Sequence, residues 1–341
     1  MHIFFIHSHI TYVVAQLFIL EHKLNKNGVR YIVSRGYELK GEEKKAYDIT
    51  DFYNYLESRS RLSKLFGLRS KLKKIDNEIA KLSENQTFNI YLPQFNHSLF
   101  QILATHRLCK KTILVEEGIT AYKADIKLYA HNQKKMAIEY FLAKIISKRF
   151  ILNNGHYSPF PKQKFEFAIC ISENCFPFIE TKKVLALNNK IIENFSNTTE
   201  EGNIIFVLDS FMERTKITEE EYLMTIKGTL QLIKNNENKL FIKFHPEQNQ
   251  YIRDKTVNFI NGNFNFKSLV CLNDNCILEF EFLKSKNLTI IGMHSSLLFY
   301  AKRFGHHVLS GAMVTTRLSK VNAYVDHVMD KKQKEELMSY V

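Results

Sequence analysis

HIFFIHSHITYVVAQLFILEHKLNKNGVRYIVS, residues 2–34, decides the fold. Residues 2–7 form a short apolar run bounded by histidines, which reads as a buried strand. Residues 11–25 place Val13, Leu17, Leu20 and Leu24 at helical spacing, and residues 29–34 form a second apolar run. Strand, helix and strand in this order make a βαβ unit, the building block of parallel sheets.

The same alternation continues outward. Residues 88–92 read as a strand, 98–108 as a helix and 111–115 as a strand. A polar stretch at 193–203 interrupts the series. A second series then follows: a strand at 204–208, a helix opening at Thr218 with three glutamates in its first turn, and a strand at 240–244. Residues 277–285 look helical, 288–291 form a strand, 295–304 a helix and 307–309 a strand. The expectation is an α/β protein of two Rossmann-like domains, residues 1–195 and 196–341, facing each other across a cleft. Ligands in such sheets sit beyond the carboxyl ends of the strands.

Composition agrees with two domains. The chain has 341 residues, 45% of them hydrophobic and 24% charged, which excludes disorder for most of its length. Glycine (12) and proline (5) are too scarce for long irregular segments. Lysine and arginine outnumber the acids 48 to 35, and a net charge of +13 implies an anionic partner: a polyanion, an anionic substrate or a membrane surface. The opening residues lack a basic region followed by a cleavage site, and His7, His9 and Gln16 break the apolar stretch, so neither a signal peptide nor a membrane span is expected. Five cysteines, an odd number, fit free thiols in a reducing cytoplasm.

Between Asp51 and Leu82 a helical stripe carries Leu62, Leu65, Phe66, Leu72, Ile75, Ile79 and Leu82, with Gly67 as a candidate kink. Its other face carries Arg59, Arg61, Lys64, Arg69, Lys71, Lys73, Lys74 and Lys81. That face is either the solvated flank of a core helix or a surface for anionic lipid or an acidic polymer. The second reading leaves room for peripheral contact with the inner face of the cell membrane.

Three strand ends carry candidate chemistry. KTILVEEG, residues 111–118, sets Glu116, Glu117 and Gly118 where a buried strand meets its loop. Strand side chains alternate, so only one of the two acids points at a given site; the pair serves either as a base with a structural partner or as loop capping. LFIKFHP, residues 240–246, ends a strand in His245, held extended by Pro246 and suited to proton transfer near neutral pH, or else an ordinary loop residue. LTIIGMHSS, residues 288–296, brings Ser295 and Ser296 to a helix start, as caps or as a phosphate site. Glu279 and Glu281 lie on a helix where a carboxylate can accept from ribose hydroxyls.

Other signatures are missing. No GxGxxG, no GxxxxGK[ST], no HExxH and no Asp-x-Asp occurs; Gly36 and Gly41 have phosphate-loop spacing but are followed by Glu42 and Glu43. Cys170/Cys175 and Cys271/Cys276 share a spacing that four zinc thiolates could use, but Cys170 lies in an apolar run, where a buried thiol is the commoner state. His7 and His9 read as lining or structural residues rather than metal ligands. Nothing matches an RRM, KH or helix-turn-helix signature, so nucleic acid is not expected as a partner.

Glu116-Glu117-Gly118, His245-Pro246 and Ser295-Ser296, in this order and at these strand ends, resemble the D/E-D/E-G, HP and Ser-Ser motifs of the bacterial sialyltransferases, in the lipooligosaccharide sialyltransferase and capsular polysialyltransferase groups. The resemblance implies a GT-B fold, an acceptor-side N-terminal domain with the catalytic base and a C-terminal domain for the CMP-sugar. It implies inverting transfer of sialic acid from CMP-sialic acid to a sugar hydroxyl of a surface glycan, lipooligosaccharide or capsule, without a metal or other cofactor. Polymer synthesis, another CMP-linked acid such as Kdo, and an inactive protein of this fold are the alternatives. Glu116 is then the base with Glu117 in reserve, and His245, Ser295 and Ser296 meet the departing CMP phosphate. Glu281, in competition with Glu279, holds the ribose, and Asp209 and Ser210 line the nucleotide pocket. The loop His7-Ser8-His9-Ile10-Thr11 matches none of these motifs.

Overall fold

The first βαβ unit forms where its pattern places it. In this computed structural model, strand β1 (His2–Ile6) leads to Ser8, whose hydroxyl accepts the Thr11 N–H and caps helix α1 (His9–Glu21). Helix α1 ends at Glu21, short of residue 25. The His22 N–H closes on the Phe18 carbonyl, Lys23 turns left-handed at φ 48°, and the Asn25 side chain caps a separate 3-10 turn. Residues from Ile10 to Ile19 are buried at every position but Gln16, so α1 is covered on more than the one face its periodicity shows. Strand β2 (Val29–Val33) then pairs with β1 in parallel.

The structure describes residues 1–39, 42–57, 61–94, 97–123, 147, 149, 165–177, 179–187, 203–233 and 239–340, without the side chains of 43, 57 and 61–66. The chain divides into two compact units, Met1–Ala186 and Leu187–Val341. The boundary expected at 195 falls in 188–202, outside the described residues.

Unit 1 adds β3 (Ala46–Asp48), β4 (Phe88–Leu92), β5 (Cys109–Val115), β6 (Ala168–Cys170) and β7 (Lys182–Val184). The sheet order is β3-β2-β1-β4-β5-β6-β7, all parallel. Helices α2 (Thr50–Glu57), α3 (Arg61–Leu82) and α4 (Ser98–Ala104) complete its described regular structure, with short 3-10 turns between. Helix α3 runs uninterrupted through Gly67 and buries Leu68, Leu72, Ile75 and Ile79 among Ile3, Phe5 and Ile90 of the sheet. Arg69, Lys71, Lys73, Lys74 and Lys81 are exposed on its other face. Leu62, Leu65, Phe66, Arg61 and Lys64 have side chains, and Arg59 its whole residue, outside the description. The helix expected over 98–108 stops at Ala104, where the Thr105 hydroxyl donates to the Gln101 carbonyl.

Unit 2 repeats the plan with β8 (Ile204–Val207), β9 (Lys239–Lys243), β10 (Ser268–Cys271), β11 (Thr289–Gly292) and β12 (His307–Ser310), in the parallel order β10-β9-β8-β11-β12. Its helices are α5 (Phe211–Thr215), α6 (Glu219–Leu230), α7 (Gln250–Asn263), α8 (Leu278–Lys284), α9 (Ser296–Arg303), α10 (Ala312–Thr315), α11 (Ser319–Val328) and α12 (Lys331–Met338). A reciprocal bond pair between Thr218 and Glu221 opens α6. In each sheet the strand order reverses once, between β1 and β4 and between β8 and β11. Those are the points where strand-end loops diverge to opposite faces and leave room for a ligand.

Candidate active site

In unit 2 the reversal point is built by two loops in close contact. Gly292 ends β11 so near β8 that an added Cβ would stand 2.9 Å from the Val207 carbonyl oxygen. Just beyond, the His294 N–H donates to Asp209 Oδ2 at 3.0 Å. Burial pushes the Asp209 carboxyl up to about 6, opposed by the backbone N–H groups of His294 and Met293. The Thr315 hydroxyl donates to the Ala312 carbonyl at 2.7 Å, so at the 2.7 Å contact between His294 Nε2 and Thr315 Oγ1 the imidazole is the donor. Burial lowers the His294 pKa to about 4. Ser295 follows as the N-cap of α9, its hydroxyl accepting the Leu297 N–H at 3.3 Å, and Ser296 is the first helical residue.

His245 lies two residues past the end of β9, next to β8 in the sheet. Its Nδ1 accepts the Glu247 N–H at 3.2 Å, which leaves the ring proton of the neutral form on Nε2. Its own N–H donates to Gln248 Oε1 at 2.8 Å, and Gln248 in turn donates to the Tyr222 hydroxyl at 2.6 Å. Burial lowers the His245 pKa, so the imidazole is neutral at neutral pH. The Arg214 guanidinium grips Glu247 with two bonds of 2.6 Å and donates to the Tyr324 hydroxyl at 2.5 Å. That grip, aided by the Ser210 hydroxyl, holds the Glu247 carboxyl down to about 2. Pro246 is exposed. Lys243 inside the same strand end donates to the carbonyls of Asn273, Asp274 and Cys276 at 2.9–3.0 Å, which fastens the loop before α8. On α8, Glu279 and Glu281 are both buried, and burial raises Glu279 to about 7.

In unit 1 the two acids diverge as strand alternation requires. Glu116 is fully enclosed; one oxygen accepts the Tyr122 hydroxyl at 2.7 Å and the other the Ile171 N–H at 2.9 Å. Glu117 instead joins the ends of β1 and β4. His7 Nε2 lies 3.4 Å from its Oε2, and Gln94 Nε2 donates to the same oxygen at 3.4 Å. Gly118 then takes φ 148°, ψ −168°, a conformation glycine alone adopts without strain, which accounts for the third residue of the motif. The Ser8 hydroxyl donates to the Glu117 carbonyl at 3.4 Å.

The strand-end residues picked from the sequence thus form three local groups: Asp209 with the loop into Ser295 and Ser296, His245 with Ser210 through Glu247, and Glu117 with His7, while Glu116 turns the other way to Tyr122 and Ile171. Glu281 lies on α8, which packs on α9. Sequence reasoning passed over Gln94, Tyr122, Arg214, Glu247, Gln248 and His294. Position alone would have found Gln94 and His294, each two residues past the end of a strand at a reversal point. Among the described residues no three His, Cys, Asp or Glu side chains converge as metal ligands, and no helix is long and apolar enough to cross a membrane.

The family model described as "Alpha-2,8-polysialyltransferase (POLYST)" matches residues 2–308. The chain belongs to this family. It is therefore a sialyltransferase, and its α/β architecture is the two-domain, Rossmann-like GT-B fold. The solved 2,6-sialyltransferase of Photobacterium sp. JT-ISH-224, in complex with CMP and lactose, is 12% identical, with a TM-score of 0.52 over 97% of this chain and 77% of its own. The sialyltransferase of Photobacterium damsela is also 12% identical, covering 98% of this chain and 80% of its own at a TM-score of 0.48. A UDP-GlcNAc 2-epimerase from Neisseria meningitidis is 10% identical at a TM-score of 0.44, covering 99% and 94%. No curated protein sequence matches the chain.

Proposed function

We propose that the protein extends a sialylated surface glycan, of capsule or lipooligosaccharide, by transferring sialic acid from CMP-sialic acid with inversion and without a metal. The observation that carries this is the coincidence of the three motif stretches with the carboxyl ends of parallel strands in a chain whose family is built on α-2,8-linked sialic acid. The lack of an Asp-x-Asp pair supports metal independence.

In this reading an acceptor hydroxyl attacks the anomeric carbon, its proton passes to a carboxylate, and the bond to CMP breaks with its electron pair on the phosphate. His245 offers an Nε2–H to that phosphate as a neutral imidazole, and Ser295 and Ser296 add hydroxyls at the positive end of α9. Asp209 and Ser210 hold the loops of this nucleotide side, and Glu281 serves the ribose. Motif order makes Glu116 the base, held in place by Tyr122 and Ile171; to take a proton it must exchange the Tyr122 bond. The placement of Glu117 beside His7 and Gln94, at the strand ends where a ligand has room, favours a second reading in which Glu117 is the base and Glu116 the structural acid.

The test is incubation with CMP-sialic acid and EDTA, with lactose-terminated or oligosialic acceptors, reading CMP release and product mass. A mass ladder on the oligosialic acceptor is expected, unaffected by EDTA. Loss of turnover with EDTA, or no CMP release with either acceptor, overturns the proposal. Glu116→Gln and Glu117→Gln, assayed side by side, separate the two bases: the true base loses about 100-fold or more in kcat with CMP affinity intact, and the other loses far less. His245→Ala should lower kcat by a similar factor.

A further inference from the structure

The carboxyl end of the first sheet holds two polar atoms whose bonding is incomplete. His7 follows β1 and Gln94 follows β4, the two strands between which strand order reverses, and Glu117 reaches them from the end of β5, next to β4. Glu117 orients its two neighbours in the same sense, because the His7 Nε2 and the Gln94 amide nitrogen both face its Oε2 at 3.4 Å. What remains is His7 Nδ1 and Gln94 Oε1. Both are buried, and neither has a hydrogen-bond partner among the described residues. The His7 side chain is only 8% exposed, so water does little to satisfy it.

The two leftover atoms are of one chemical kind. As a neutral imidazole with its proton on Nε2, facing the carboxylate, His7 presents a lone pair at Nδ1, and the amide oxygen of Gln94 presents lone pairs as well. A ligand completing them must bring hydrogen-bond donors. A carboxylate or phosphate oxygen there would meet lone pairs and, behind them, the charge of Glu117. A run of adjacent hydroxyls suits the site, and a sialic acid acceptor for an α-2,8 bond carries one: its attacking hydroxyl is flanked by hydroxyls at C7 and C9.

Resting on the transfer reading above, we infer that His7 and Gln94 form a hydroxyl-recognition subsite for the polyol chain of the acceptor's terminal sugar. Each accepts one O–H from a hydroxyl flanking the nucleophile and so holds the attacking oxygen beside the Glu116-Glu117 pair. The subsite selects acceptors by hydroxyl pattern and is indifferent to the acceptor's negative charge.

The test combines two enzyme variants, His7→Phe and Gln94→Leu, with oligosialic acceptors whose terminal residue is intact, 7-deoxy or 9-deoxy. For wild type, each deletion should lower kcat/KM about 10- to 100-fold, the loss that follows when a buried polar group is left unpaired. Each variant should lose a similar factor on the intact acceptor and nothing further on the acceptor lacking the hydroxyl it meets. Strictly multiplicative losses for both variants overturn the subsite while leaving the transfer reading in place. Equal wild-type kcat/KM on all three acceptors does the same, and requires no variant to fold. Absence of any wild-type product from CMP-sialic acid overturns the transfer reading and the subsite with it.

Discussion

Asp209 and His294 touch, yet burial moves their titrations in opposite senses: the acid up to about 6 and the imidazole down to about 4. A raised carboxyl binds its proton more tightly in the folded state, so it adds stability as pH falls through 6 toward the unfolded value near 3.8. A depressed histidine does the reverse; its stability is complete above 6.5 and drains away as pH falls toward 4. In the wild-type protein the two contributions offset one another over this window. Asp209→Asn keeps an oxygen for the His294 N–H but removes the compensating titration. Between pH 7 and pH 4.5 the variant should therefore lose roughly 1–2 kcal/mol more stability than wild type. Urea unfolding at the two pH values measures this, and parallel pH profiles would refute it. Tyr122 shows the limit of reading residues one at a time. Nothing in the string around it marks a partner for Glu116, because the 2.7 Å bond depends on the turn at Gly118.

At the scale of elements, the meeting of β8 and β11 is set by the absence of a side chain at Gly292. An alanine there would press on the Val207 carbonyl at 2.9 Å and on Leu298 at 3.3 Å, and the backbone contact has no cheap way to give. Gly292→Ala should cost about 1–3 kcal/mol, since strand ends must part to admit it. Gly262, inside α7 with nothing within 4 Å of its added Cβ, is the contrast: Gly262→Ala should stabilise by about 0.5–1 kcal/mol. Denaturant midpoints of the two variants test both signs. The strands that sequence reasoning located, such as β1, β4, β8 and β11, are largely apolar and buried at all positions but one at most, as a sheet covered on both faces requires. Those it missed, β3, β6, β7 and β10, have only three or four residues and include Lys182-Lys183 and Ser268, so no periodicity betrays them. The acid pair, His245 and the Ser295-Ser296 turn were legible because chemistry and strand end coincide in one short string. Arg214 and Gln94 were not, because their partners Glu247 and Glu117 lie 33 and 23 residues away in the chain.

For the molecule as a whole, the surplus of 13 positive charges acts on any anionic acceptor at long range. Lys74, Lys81 and Arg107 border a shallow depression on the flank of α3 and add to that field. KM for a long oligosialic acceptor should rise about tenfold or more between 50 mM and 500 mM salt, while KM for a neutral lactose-terminated acceptor stays within about twofold. Equal salt dependence for the two acceptors would show that the charge serves something else. The two sheets have a further consequence, one for synthesis of the chain. All described strand pairs are parallel, so no strand can zip to its successor through a tight hairpin. His2 of β1 pairs with Asn89 of β4, and at roughly 5–20 residues per second a ribosome needs several seconds to make the chain between them. Throughout that interval the backbone groups on one edge of β1, a strand of mostly apolar side chains, are unpaired. Helper proteins that shield nascent chains thus have a task while residues 7–88 are being made, before Glu116, Glu117 and His245 have been added.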